Sequence, residues 1–99
     1  NAISAIHPTD SVRLEQHNNN KALNRDELYL VQTPQTFQLK QLKKAYEVPY
    51  RNEFTDDASV VEYAGFDIHL MEGERENLKI TYPIDFEVAK ILIKKKASV

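Results

Sequence analysis

Cysteine is absent from the 99 residues, which excludes a disulfide framework, a thiolate zinc site and a cysteine nucleophile. That absence fits a reducing compartment. Glycine is nearly as scarce: Gly65 and Gly73 are the only two, and neither lies in a phosphate-cradling loop. No apolar run nears the ~20 residues of a membrane span, since Ser4 breaks Ala2–Ile6 and Lys90 breaks Val88–Ile93. The first residues show no basic region followed by an apolar stretch, so no signal peptide is expected. Excess charge is also missing. A net charge of −2 argues against the whole domain binding nucleic acid by charge. The local run Lys94, Lys95, Lys96 reads as a solvated helix end favoured by the macrodipole.

What is present is ordinary for a globular protein, with 41% hydrophobic and 28% charged residues. The length fits one domain with a modest core. Asn1–Ile6 opens without a polar lead-in, so a fragment or excised domain is expected.

Ala2–Ile6 predicts a short buried strand that Pro8 ends. Ser11–Asn24 predicts a β-hairpin arm turning at Asn18, Asn19 and Asn20, because asparagine tolerates positive φ. Its faces are too polar to stand alone, and another subunit is the natural surface for it to lie against. Leu28–Gln32 predicts a strand closed by Thr33-Pro34. Gln38–Tyr46 follows as a helix with Leu39, Leu42 and Tyr46 on one face. Thr55 is the expected N-cap of the next helix, with Asp56 and Asp57 in its first turn, Val60, Val61 and Ala64 inward, and Gly65 at C′. Strands are expected at Ile68–Met71 and Leu78–Thr81. A closing helix starts at Pro83, capped by Thr81 or Tyr82, with Ile84, Val88, Ile91 and Leu92 on its apolar face. Strands alternating with helices predict an α/β layer structure.

Motif chemistry is thin. His7, His17 and His69 have no i+3 or i+4 ligand partner, so they read as surface or hairpin residues and no metal site is assigned. Asp56 and Asp57 are adjacent, diverge by about 100° on a helix, and read as helix N-terminal charges. No nucleophile elbow, zinc-protease helix, Walker loop or dinucleotide fingerprint occurs. What remains is a scatter of anion-friendly groups at element ends: Ser11, Arg25, Thr33, Thr55 and Lys79.

The strings around those residues carry a resemblance. Gln32-Thr33-Pro34-Gln35-Thr36-Phe37, Thr55-Asp56-Asp57-Ala58-Ser59-Val60-Val61-Glu62, Glu72-Gly73 and Asn77-Leu78-Lys79-Ile80-Thr81, with Pro83 and Asp85, resemble the C-terminal half of 2-C-methyl-D-erythritol 4-phosphate cytidylyltransferases, in order and in spacing. Pro8-Thr9-Asp10-Ser11-Val12-Arg13 resembles the start of the family's β-arm, and Asn24-Arg25 its end. The resemblance covers essentially the whole chain.

It implies the C-terminal portion of a Rossmann-like α/β nucleotidyltransferase fold, with a protruding β-hairpin arm at about residues 10–25 that joins two subunits into a homodimer. It implies cytidylyl transfer from CTP to methylerythritol phosphate, with release of pyrophosphate, in the cytoplasmic non-mevalonate route to isoprenoids. Mg²⁺ is implied as cofactor, with ligands mostly outside this chain. By the resemblance Lys79 and Arg25 are catalytic. Lys79 orients the acceptor phosphate, and Arg25 does so from the neighbouring subunit. Ser11, standing where the family commonly has threonine, joins Thr33 and Thr55 in binding substrate. The family's glycine-rich triphosphate loop and its metal-side acid have no counterpart here, so the 99 residues alone are expected to bind CTP poorly and not to turn over. Two other readings stand beside this one: a cytidylyltransferase acting on ribitol phosphate or a similar polyol phosphate, and a non-catalytic dimerisation module.

Overall fold

A computed structural model describes residues 1–97. Five strands and three helices follow in the order β1 (Ala2–Ile6), β2 (Val12–Gln16), β3 (Asn19–Leu23), β4 (Leu30–Thr36), α1 (Leu39–Ala45), α2 (Asp57–Tyr63), β5 (His69–Glu72) and α3 (Pro83–Ala97). One sheet has the order β4-β1-β5, and β2 and β3 form a separate two-stranded ribbon. β1 runs antiparallel to β4 and parallel to β5, so the layer is a mixed α/β sheet.

β1 alternates as a strand with one buried face should: Ile3 and Ala5 are buried and their neighbours half-buried. The core cluster lies between the helices, where Ala45 of α1 meets Val60 and Val61 of α2. Phe37, Leu42, Phe54, Phe66 and Ile68 pack around it. On α1 the expected inward face is corrected. Leu42 packs against the core, but Leu39 and Tyr46 are exposed and Ala45 is the buried residue.

α2 begins one residue later than expected. Asp56, not Thr55, is its N-cap: the Asp56 carboxylate accepts from the Ser59 amide at 2.8 Å, and the Ser59 hydroxyl faces back to the Asp56 amide at 3.3 Å. This reciprocal box satisfies two otherwise orphaned donors. Gly65 ends the helix region with φ of 97°, as the C′ position requires.

The ribbon turns one residue earlier than the asparagines indicated. His17 and Asn18 carry the positive φ values, and Gln16 faces Asn19, so Asn19 and Asn20 belong to β3. A two-residue loop with both φ values positive matches strand twist best.

β4 does not stop at Thr33-Pro34 but runs to Thr36. Proline is tolerated because β4 is an edge strand. The pairing slips here: Ile3 faces Gln35 while Ala5 faces Val31, leaving Gln32, Thr33 and Pro34 opposite Ser4 alone. Such bulges bend a strand and re-aim its side chains.

Residues 78–81 are not a strand. The Thr81 and Tyr82 amides are taken at 3.1 and 2.9 Å by the Asp85 carboxylate, which caps α3 from inside the helix. Neither Thr81 nor Tyr82 therefore acts as the side-chain cap. α3 turns Asp85, Ala89 and Leu92 inward to half-burial; of the expected face only Leu92 is among them, and Ile84, Val88 and Ile91 stay exposed. No described helix is long and apolar enough to cross a membrane.

Candidate functional site

The β4 bulge and the start of α2 form opposite walls of one cavity of about 570 Å³. Thr33 comes from the bulge and Thr55 from the turn before the Asp56 cap, and both line it. Tyr46, Tyr50 and Phe54 supply aromatic surface, and Asp56 and Asp57 supply carboxylates. Of the five expected site residues, Thr33 and Thr55 meet in this cavity, and Lys79, Arg25 and Ser11 do not line it.

Neither threonine hydroxyl makes a hydrogen bond among the described residues. What holds the threonines is their backbone. The Thr33 carbonyl accepts from the Asn77 side-chain amide, and the Thr55 amide donates to the Ser59 hydroxyl at 3.1 Å. Both hydroxyls are thus left for a ligand on a fixed backbone.

The carboxylates are already engaged. Asp56 caps α2 and accepts from the Gln35 side chain at 3.2 Å. Asp57 accepts from the Tyr46 hydroxyl, and that bond, with the neighbouring negative charge, raises the Tyr46 pKa above its ordinary value. Among the described residues no group of three or more His, Asp or Glu side chains could hold a metal ion.

Lys79 sits in the exposed segment between β5 and α3. Two residues before it, Asn77 is tied to Thr33; two residues after it, Thr81 is tied to Asp85. Its ammonium has no hydrogen bond or ion pair among the described residues, which suits a cation awaiting an anion.

Ser11 and Arg25 lie at the root of the ribbon and do not line the cavity. Arg25 begins a single 3-10 turn and donates to the Thr9 carbonyl, closing the base of the arm. The sequence reading missed Tyr46, Tyr50 and Gln35 as lining residues. The spacing of α1 assigned Tyr46 to the core, and nothing marked the loop after α1 as a wall.

With this geometry in view, the matches to known proteins are specific. The family model for IspD, 2-C-methyl-D-erythritol 4-phosphate cytidylyltransferase, matches residues 1–95. A relative of that name from Phocaeicola vulgatus is 43% identical over 91 residues, 92% of this chain and 42% of the relative. One from Azobacteroides pseudotrichonymphae is 48% identical over 90 residues, 90% of this chain and 40% of the relative. Among solved structures, the Francisella tularensis cytidylyltransferase shares 36% identity at a TM-score of 0.76, covering 91% of this chain and 44% of its own. The synthase from Anaerococcus prevotii reaches a TM-score of 0.81 at 28% identity, covering 94% and 45%. The chain thus spans well under half the length of the relatives it matches. Matched along nearly all its residues by one family model, and by relatives and solved structures alike, the chain belongs to the 2-C-methyl-D-erythritol 4-phosphate cytidylyltransferase family.

Proposed function

We propose that this chain is the acceptor-binding part of an enzyme that transfers a cytidylyl group from CTP to 2-C-methyl-D-erythritol 4-phosphate and releases pyrophosphate. The observation that carries the reading is the pair of threonines, Thr33 and Thr55, that line one cavity on hydrogen-bonded backbones with hydroxyls free of protein partners among the described residues. Lys79, a cation with no partner among the described residues, lies two residues from the Asn77 link to Thr33.

The chemistry needs little more from this part of the protein. The acceptor phosphate is ionised at neutral pH, so it attacks the α-phosphate of CTP without a general base. Two anions must approach, and they repel until cations neutralise them. Such transfers depend on positioning and charge stabilisation. Lys79 holds the acceptor phosphate, Thr33 and Thr55 donate hydrogen bonds to it or to its hydroxyls, and Arg25 and Ser11 arrive from the arm of a second subunit. The root position of Arg25, away from the cavity, supports a contribution across a homodimer. The nucleotide-binding groups and the ligands of Mg²⁺ lie outside these 99 residues, in the cytoplasmic full-length enzyme.

The test is turnover of full-length protein carrying Lys79→Ala, with methylerythritol phosphate and ribitol phosphate offered separately. Loss of an electrostatic contact at the reacting phosphate lowers kcat/KM by about 10²–10³-fold. Turnover equal to an active parent protein overturns the assignment of Lys79, a parent protein without turnover returns the chain to the non-catalytic reading, and preference for ribitol phosphate reassigns the acceptor.

A further inference from the structure

Gln32 lies in the β4 bulge, half-buried, one residue before Thr33. Its Nε2 donates to two backbone carbonyls of the facing loop, Glu74 at 2.8 Å and Asn77 at 3.2 Å. Both partners are acceptors, so the amide can be oriented only with nitrogen toward the loop. Its Oε1 is thereby driven inward, where it is buried and has no hydrogen-bond partner. Burying an unpaired carbonyl oxygen is unfavourable. An apolar side chain would fill the space without that penalty, so packing alone does not account for glutamine here.

The loop is built to receive this amide. Gly73 has no side chain where a Cβ would collide with Gln32 Oε1 and sit 3.3 Å from the backbone N and O of Ala5. The loop closes on itself through the Asn77 amide and the Glu74 carbonyl at 3.0 Å. Asn77 then returns a bond from its side chain to the Thr33 carbonyl. Gln32 and Asn77 therefore stitch the bulge and the loop in both directions. Two residues further on stands Lys79, and beyond it Thr81 and Tyr82 are fixed to Asp85. The backbone around Lys79 is held on both sides while its ammonium is left without a partner among the described residues.

We propose that Gln32 is a positioning residue that sets Lys79 against Thr33 for the acceptor phosphate, with Gly73 providing the space its amide needs. The inference rests on the function proposed above for Lys79. Gln32 touches no reacting atom; it acts through the loop, and its loss lets the lysine drift from its working position.

The experiment uses full-length protein assayed with CTP and methylerythritol phosphate. Gln32→Ala and the volume-preserving Gln32→Met are expected to lower kcat/KM for the acceptor about 10–100-fold, the scale for supporting groups and for ångström-level misplacement. KM for CTP is expected to stay unchanged. Gly73→Ala gives the same phenotype by evicting the amide, and adds less on a Gln32→Ala background, where the colliding oxygen is gone and only the tight approach to the Ala5 backbone remains. In a Lys79→Ala background Gln32→Ala costs nothing further, which a general loss of stability would not reproduce. Parental activity in both Gln32 variants, with Lys79→Ala inactive, overturns the positioning role alone. An undiminished Gln32→Ala effect in the Lys79→Ala background also overturns it. Full activity in Lys79→Ala overturns the assignment of that lysine, and the positioning role with it.

Discussion

Tyr46 and Asp57 join α1 to α2 by one hydrogen bond, and that bond has an alkaline signature. The carboxylate favours the neutral phenol, so the folded-state pKa lies above the ordinary tyrosine value of 10.0. A group raised in the folded state stabilises fully below its unfolded pKa and loses that contribution as pH rises through the folded value. Tyr46→Phe is therefore expected to be less stable than the parent near pH 8, with the gap closing in strongly alkaline solution. Chemical denaturation across that range checks it, and a gap independent of pH would contradict the linkage. Asp56→Ala removes the side-chain half of the α2 capping box and is expected to cost about 1 kcal/mol, read as a lowered denaturation midpoint at constant slope. At this scale the sequence was half legible. The acidic start of α2 was visible, but the box closes with serine instead of the usual Glu or Gln at N3, so the signature pointed one residue too early.

At the scale of elements, the ribbon β2–β3 is the part most in need of a partner. Val12, Leu14 and Leu23 are its only half-buried residues, and Val12 stands opposite Leu23. Residues paired across an antiparallel ladder share a face, so Val12, Leu14 and Leu23 form one apolar stripe. If that stripe seats the arm on a second subunit, Leu14→Asp breaks the homodimer of the full-length protein without disturbing the sheet β4-β1-β5. Sedimentation or light scattering reports the state, and a persistent dimer would reject the arm as its basis. The hairpin, β1, β5 and the existence of all three helices were readable from alternation and spacing, but the caps of α2 and α3 were not. β4 was cut short because proline is usually read as a stop, and its edge position was invisible in one sequence. The segment bearing Lys79 read as a strand because Leu78 and Ile80 alternate with polar neighbours. Its backbone hydrogen bonds go instead to a helix cap and a loop, partners set by tertiary contacts.

Taken whole, the molecule is open. Its accessible surface is 8359 Å², against about 5,800 Å² for a compact protein of its mass. Its radius of gyration is 16.7 Å, against about 13 Å for a compact chain of this length. Ile84, Ile91 and Ile93 of α3 are each about two-thirds exposed or more. The 99 residues in isolation are therefore expected to unfold with weak cooperativity, to bind an apolar dye and to give no cytidylyl transfer. A sharp thermal transition, or product formed at a rate near that of the full-length protein, would refute this. Thr33 and Thr55, which the structure brings to one cavity, stood out because they sit in short strings that resemble the family's. The cavity was not legible, since its walls come from three separate segments, the β4 bulge, the loop after α1 and the start of α2, that only tertiary packing brings together.

β5 gives the sheet a direction as well as an edge. Its inner side pairs with β1 in parallel, and among the described residues its outer side pairs with nothing. A bare row of backbone donors and acceptors is a template that accepts any extended chain until the proper one occupies it. The isolated polypeptide thus offers copies of itself an edge to pair with, and its self-association should grow with concentration at temperatures where its helices are still intact.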